Sequence, residues 1–147
     1  MKVKVSVLAA GIMVLLAAVG CSQSAGVSAA DQVDVDVPID AFMASPHITR
    51  DMVVPHGGVL TIALGANAST GFSWSEDATI AGPAILRQTE TEYLSPEGEA
   101  VVGASGAQVW TFEAVEKGTT SLLMEYGRPW EGGEKGVWTF ELTVTVS

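Results

Sequence analysis

Most of the chain alternates between apolar and polar residues with a period of two, which is typical of half-buried β-strands. The alternating runs lie at 33–39, 60–64, 72–74, 110–114, 120–126 and 138–146. A more polar run at 85–93 indicates an edge or surface strand. Long helical patterns are missing. Seven or eight short strands separated by turn signals predict an all-β fold, an immunoglobulin-like antiparallel β-sandwich.

The first residues have the pattern of an export signal. Lys2 and Lys4 precede an apolar run that ends at Gly20, and this run has the length of a signal-peptide core. It is too short and too early for a transmembrane span. The next residue is Cys21, and the small residues before it resemble a bacterial lipobox. The alternative is a plain secretory signal cleaved near Ala29.

The lipobox interpretation divides the chain into three parts. Residues 1–20 are a lipoprotein signal peptide, residues 21–32 a lipidated tether, and residues 33–147 one β-sandwich domain with a single core. We expect an exported protein that is anchored to the cell membrane or envelope through lipid on Cys21. Because Cys21 is the only cysteine, the domain has no disulfide, no cysteine-based zinc site and no cysteine nucleophile.

The charge of the exported part excludes two classes of partner. Without residues 1–20, five basic and seventeen acidic residues remain, so the net charge is −12. A surface this acidic does not suit the phosphates of a nucleic acid. It also does not adhere to anionic lipid, so contact with a membrane is expected only through the lipid on Cys21.

Three unusual loops are predicted to meet at one end of the sandwich. If successive strands run antiparallel, each connection lies at the opposite end from the connection before it. The connections at 65–71, 94–106 and 127–136 are the first, third and fifth after the strand that begins at residue 59. They therefore lie at one tip, as binding loops do in other sandwiches.

The residues of these loops suit a protein-binding tip. Gly71 can adopt a positive φ and let the backbone approach a partner closely, and Asn67 can bond its own turn. Trp130 beside Arg128 on a proline-stiffened loop is typical of an interface anchor. Each loop also has an ordinary interpretation, as a well-made turn, as glycine filler, or as a tryptophan folded back on the sandwich. The candidate residues are Asn67, Ala68, Ser69, Thr70, Gly71 and Phe72, then Gly103, Ala104, Ser105 and Gly106, then Arg128, Pro129 and Trp130.

Taken in this order, the three motifs resemble the chagasin family of cysteine-peptidase inhibitors over about residues 40–147. The resemblance implies a monomeric sandwich, without cofactor or catalysis, that occludes the cleft of papain-family cysteine peptidases reversibly and competitively. It implies that the first loop covers the catalytic pair, with Thr70 nearest to it. The second loop would contact the non-primed side, and Trp130 would stack on the primed side.

This sequence departs from the family pattern at two positions. Ala68 stands where the family has proline, which is expected to loosen the first loop and weaken binding. Ser105 stands where the family has glycine and adds a side chain where close approach of the backbone to a partner is expected. Both changes are expected to weaken or retarget inhibition.

An enzyme and a non-inhibitory binding module are the two alternatives to an inhibitor. An enzyme is disfavoured because no catalytic motif occurs, and because His47 and His56 are predicted to be exposed loop residues away from the tip. They also make a poor metal site. A non-inhibitory cell-envelope lipoprotein could use the same tip as a binding module, since sandwiches have many functions.

Overall fold

The structure, a computed structural model, describes residues 31–96 and 105–147. The predicted signal peptide, the predicted lipidation site Cys21 and most of the predicted tether lie outside the described residues. The elements in chain order are β1 Gln32–Val37, α1 Ile39–Ala44, β2 His47–Val54, β3 Val59–Ala66, a 3-10 turn Ala68–Thr70, β4 Ser73–Trp74, β5 Thr79–Ala81, β6 Leu86–Leu94, β7 Gly106–Ala114, β8 Gly118–Gly127 and β9 Trp138–Val146.

The strands form the two sheets of a sandwich, which confirms the predicted fold class. One sheet has the order β1-β3-β7-β6, and the other has the order β2-β9-β8-β4 with β5 also paired to β8. Most pairs are antiparallel, but β1 pairs with β3 in parallel and β2 pairs with β9 in parallel. The polar run predicted at an edge is β6, which does lie at the edge of its sheet.

The core lies between the sheets and is made by the alternating positions of the long strands. Burying one large apolar side chain stabilises the fold by roughly 1.5–3 kcal/mol relative to leaving it exposed. The four central strands supply side chains with no exposed surface, namely Leu60, Ile62, Leu64, Trp110, Phe112, Leu122, Met124, Phe140 and Leu142.

The N-terminal part of the domain differs from the prediction. The alternation at 33–39 predicted a strand through Ile39, but β1 ends at Val37 and α1 begins at Ile39. Pro38 lies between them, where its extended backbone ends the strand and precedes the first helical residue. Phe42 then packs into the core from α1, so a helical spacing of apolar residues replaces the strand alternation.

Strand β2 was not predicted, and the predicted position of one histidine, His47, was wrong because this residue belongs to β2. β2 is an edge strand whose outward side chains are mostly polar, so its sequence lacks a clear alternation. His47 was expected in a loop away from the tip. It begins β2 in register with Thr139, and its Nδ1 lies 2.9 Å from Thr139 Oγ1. Because β9 begins just after the third loop, His47 lies at the end of the sandwich that carries this loop. His56 lies at the opposite end, where its backbone N donates to Ser147 O at 3.0 Å.

Candidate functional site

The first and third loops, together with the described ends of the second loop at residues 94–96 and 105–106, lie at one end of the sandwich, which we call the loop end. Ala66, the last residue of β3, pairs with Gly106, the first residue of β7, so the first and second loops are neighbours. The backbone N of Asn67 donates to the hydroxyl of Tyr126 at 3.0 Å, next to the end of β8, so the first and third loops are neighbours. The loops therefore lie at the same end of the sandwich at their described residues, as counting the strand connections predicted.

The first loop is a compact turn stabilised by its own polar groups. Asn67 Oδ1 accepts hydrogen bonds from Ser69 N at 3.2 Å and Ser69 Oγ at 2.6 Å. Thr70 Oγ1 donates to Asn67 O at 2.8 Å. Gly71 ends the turn in the left-handed region with φ of 77°, which favours glycine. The predicted turn bond of Asn67 and the predicted positive φ of Gly71 are both present.

Gly71 is also close to the third loop. A Cβ atom added at Gly71 would lie 2.9 Å from Cη2 of Trp130. The sequence suggested that Gly71 allows close approach by a partner, whereas in the isolated chain the neighbour is the indole of Trp130. The first and third loops therefore form one packed unit.

Arg128 joins the same two loops through its side chain. Its guanidinium carbon lies 4.5 Å from the ring centre of Phe72 and 5.8 Å from that of Trp130. Cation–π contacts of this kind contribute about 0.5–1 kcal/mol at exposed sites. Arg128 Nη1 also lies 3.9 Å from the carboxylate of Glu134. In the described structure Nε of Arg128 is buried without a hydrogen-bond partner.

A lysine that was not predicted from the sequence stabilises the third loop through hydrogen bonds. Lys135 Nζ donates to the backbone oxygen of Arg128 and, at 2.9 Å, to that of Trp130. Gly133 N donates to Trp130 O at 3.1 Å. No sequence pattern predicts a contact between a lysine and an arginine seven residues before it. The contact forms only because the loop folds back on itself.

Trp130 remains half exposed in this arrangement. Its exposed fraction is 52%, whereas Trp74 and Trp110 are 3% and 0% exposed. The pattern of the strands also predicts that Trp138 is a core residue, but Trp138 is only partly buried and packs against the core from the start of β9. Trp130 neither folds away against the sandwich nor extends freely, since one edge lies close to Gly71, the Arg128 guanidinium lies near its ring, and about half of its surface faces solvent.

An aromatic cluster supports the loops from below. Tyr126 stacks on Trp138 with ring centres 4.6 Å apart and an interplanar angle of 7°. Phe72 also stacks on Tyr126, at 5.7 Å, and Phe42 of α1 stacks on Trp138 at 5.6 Å. Trp74 contacts both Tyr126 and Phe42 at 5.0 Å. The first loop therefore rests on side chains with few degrees of freedom, and its position is set by the core.

Only part of the second loop falls within the described residues. Gly103 and Ala104 lie outside them, Ser105 is exposed, and Gly106 begins β7. A Cβ atom at Gly106 would lie 2.2 Å from Leu94 O, within its own sheet. Glycine at 106 is therefore required by the pairing of β6 and β7, whatever partner the loop meets.

Two kinds of feature are absent from the described residues. Within 31–96 and 105–147, no group of three or more histidine, cysteine, aspartate or glutamate side chains could hold a metal ion. The same residues contain no helix with the length and hydrophobicity needed to cross a membrane.

Comparison with known proteins identifies the family. Residues 53–144 match the model of the chagasin family peptidase inhibitor I42. No curated protein matches the chain in sequence.

Several solved structures have a similar fold. The cysteine protease inhibitor EhICP2 from Entamoeba histolytica has a TM-score of 0.60 and 18% identity, over 79% of this chain and 97% of that one. PbICP-C in complex with falcipain-2 has a TM-score of 0.54 and 16% identity, over 80% and 99%. The solution structure of Amebosin has a TM-score of 0.51 and 25% identity, over 69% and 96%.

Proposed function

The chain belongs to the chagasin family of peptidase inhibitors, and from this premise we propose that it inhibits papain-like cysteine peptidases reversibly and competitively. In this proposal the loop end enters the active-site cleft and excludes substrate. The relatives with a similar fold include the cysteine protease inhibitor EhICP2 and the complex of PbICP-C with falcipain-2, which support a cysteine peptidase as the partner.

The observation that carries the proposal is the packing of the first and third loops into one unit. Trp130 exposes half of its surface while Gly71, Arg128 and Lys135 hold it in place. A large aromatic group that is already ordered loses little conformational entropy on binding. Binding energy at interfaces concentrates in tryptophan, tyrosine and arginine anchors of this kind.

The conformation of the first loop explains how it could occupy a peptidase cleft without being cleaved. The segment Ala68–Thr70 is a 3-10 turn, closed by hydrogen bonds from Thr70 N to Asn67 O at 3.4 Å and from Gly71 N to Ala68 O at 3.3 Å. Nucleophilic attack requires a carbonyl carbon aligned within about 3–3.5 Å of the nucleophile. Peptide groups folded into a closed turn do not offer this alignment, so we propose steric occlusion without turnover.

The test is a titration of papain with the full chain, solubilised in detergent, and a fluorogenic peptide substrate. We expect competitive inhibition with one-to-one stoichiometry, full recovery of activity on dilution, and an inhibitor that remains intact on a gel. A folded chain that fails to inhibit papain and a cathepsin L-like enzyme at micromolar concentration would contradict the proposal. A binding module without inhibitory activity would then account better for the same loops.

We also propose that the chain is exported and anchored by lipid on Cys21. The position of β1 supports this arrangement, because β1 begins at Gln32, next to Val59, and runs toward the loop end. A tether that precedes Gln32 would leave the domain at the end opposite the loops, and the loops would face away from the membrane. Cys21→Ser is expected to move the protein from the membrane fraction to the soluble fraction with unchanged inhibition. A variant that stays in the membrane fraction would contradict the lipid anchor.

A further inference from the structure

The loop end has an apolar groove that none of the three loops forms alone. It lies between α1 and the first loop and has a volume of about 440 Å³. Ile39 and Met43 line it from α1, Asn67, Thr70 and Phe72 line it from the first loop, and Val137 lines it from the third. We propose that this α1 groove is a fourth contact with the peptidase, and that it receives an apolar side chain from the rim of the peptidase cleft.

The helix wall of the groove is held firmly by the core. A Cβ atom at Gly65 would lie 2.3 Å from the backbone N of Ile39, so only glycine on β3 lets α1 come this close. Phe42 has no exposed surface and packs on Trp74 and Trp138. The next residue, Met43, is 71% exposed. The buried Phe42 therefore fixes the helix, and the exposed Met43 next to it is held at a defined position.

Continuity with the proposed inhibitory surface identifies the occupant. Asn67, Thr70 and Phe72 belong both to the first loop and to the groove. Because Thr70 itself lines the groove, a protein that covers Thr70 also covers part of the groove. This step rests on the proposed function, because it takes the peptidase as the protein that covers Thr70.

The side chains of the groove favour an apolar group. Glu134 is the carboxylate in its lining, and it lies 3.9 Å from Nη1 of Arg128, which offsets its charge. Methionine is unbranched and polarisable, and it adapts to partner side chains of different shape. Met43 is therefore suited to determine how strongly different peptidases are bound.

The experiment measures inhibition constants for papain with the full chain in detergent and three variants. Met43→Glu would place a carboxylate in a contact from which water is excluded, and burial of an unpaired charge is costly. We expect its inhibition constant to rise about 10-fold or more, as is usual for a contributing interface side chain. Met43→Leu conserves the volume and should stay within about threefold of wild type.

Val53→Glu is the matched control. Val53 is another exposed apolar residue, 61% exposed, but it pairs with Thr145 near the end opposite the loops. Its inhibition constant should equal that of wild type. Both glutamate variants should keep the melting temperature of wild type, because both side chains are exposed.

Three results would overturn the inference, and they are distinguishable. If the wild-type chain inhibits papain and Met43→Glu inhibits it equally well, the groove is not a contact while the proposed function stands. If the wild-type chain does not inhibit at all, both proposals fail. If sedimentation shows a wild-type dimer that Met43→Glu dissociates, the groove holds a second copy of this chain and not a peptidase side chain.

Discussion

The two ends of the sandwich are built differently. The end opposite the loops is closed by backbone hydrogen bonds, with Gly57 N donating to Ala114 O at 2.8 Å and Ala114 N to Gly58 O at 3.0 Å. The loop end rests on stacked aromatic rings. Of the large apolar side chains exposed in the described residues, Met43, Leu94 and Trp130 lie at the loop end, and Val53 lies toward the other.

This difference shows how a small domain can expose apolar surface without losing order. Backbone hydrogen bonds close an end but leave few side chains available to a partner. Aromatic packing beneath a loop positions the loop from the core and leaves its outer face free. The loop end therefore combines exposed apolar groups with a rigid support, which is the combination that an inhibitory surface requires.

The largest expected effect is on the aromatic support itself. Phe42→Ala removes a fully buried ring that packs on Trp74 and Trp138. The free energy of unfolding should fall by about 3–5 kcal/mol, the usual cost of such a truncation. Urea denaturation of this variant and of Val53→Ala measures the contrast, since the exposed control should change stability by less than about 0.5 kcal/mol. Equal losses in the two variants would mean that the cluster gives the loop end no special support.

The next effect separates binding from stability. Trp130→Ala removes the half-exposed indole and should weaken binding to papain by about 2–4 kcal/mol, the range of interface anchors. Its free energy of unfolding should change by less than about 1 kcal/mol, because about half of the side chain is already exposed and its contacts lie at the surface. The inhibition constant and a urea melt of the same preparation measure both quantities. If the variant loses stability but keeps its affinity for papain, Trp130 stabilises the fold and does not contribute to binding.

A smaller effect compares two glycines in the same backbone conformation. Gly71 and Gly82 have φ of 77° and 84°, and a Cβ atom would approach Trp130 at Gly71 but meet nothing within 4 Å at Gly82. Alanine in this region costs about 1–2 kcal/mol at either position. We expect both variants to lose that much stability, but only Gly71→Ala to lose inhibition, by about 10-fold. Equal inhibition by the two variants would show that the close packing of Gly71 and Trp130 has no part in binding.

The smallest expected effect restores the family residue in the first loop. Ala68 is the first residue of the 3-10 turn, and Asn67 before it has the extended backbone that a following proline requires. Ala68→Pro should stabilise the chain by about 0.4–1 kcal/mol by restricting the unfolded state. The inhibition constant should fall two- to fivefold, because the loop is better ordered before binding. A weaker inhibitor would show that the alanine is adapted to a different cleft.

Much of this contrast could be predicted from the sequence, because period-two alternation and strand parity are local features with global consequences. The inward faces of β7, β8 and β9 followed from alternation, and the meeting of the three loops followed from counting connections. These inferences need no knowledge of which strand joins which sheet.

The helix and the contacts between loops could not be predicted in this way. A strand alternation continued through Val37 into Ile39, and only Pro38 and the apolar spacing of Ile39, Phe42 and Met43 signalled a helix. The stacking of Arg128 on Phe72 joins residues 56 positions apart in the chain. Such contacts depend on three-dimensional packing. The loop motifs alone predicted contacts with a partner and did not predict the contacts between the loops.

The most direct test of the central claim is amide hydrogen exchange of the full chain with and without papain whose active-site thiol is reversibly blocked by a small group. The account predicts slower exchange at residues 67–72 and 128–137 in the complex. It predicts unchanged exchange at residues 55–58 and 116–119, at the opposite end. Protection confined to the opposite end, or a complex in which the loop end exchanges as fast as in the free chain, would contradict it.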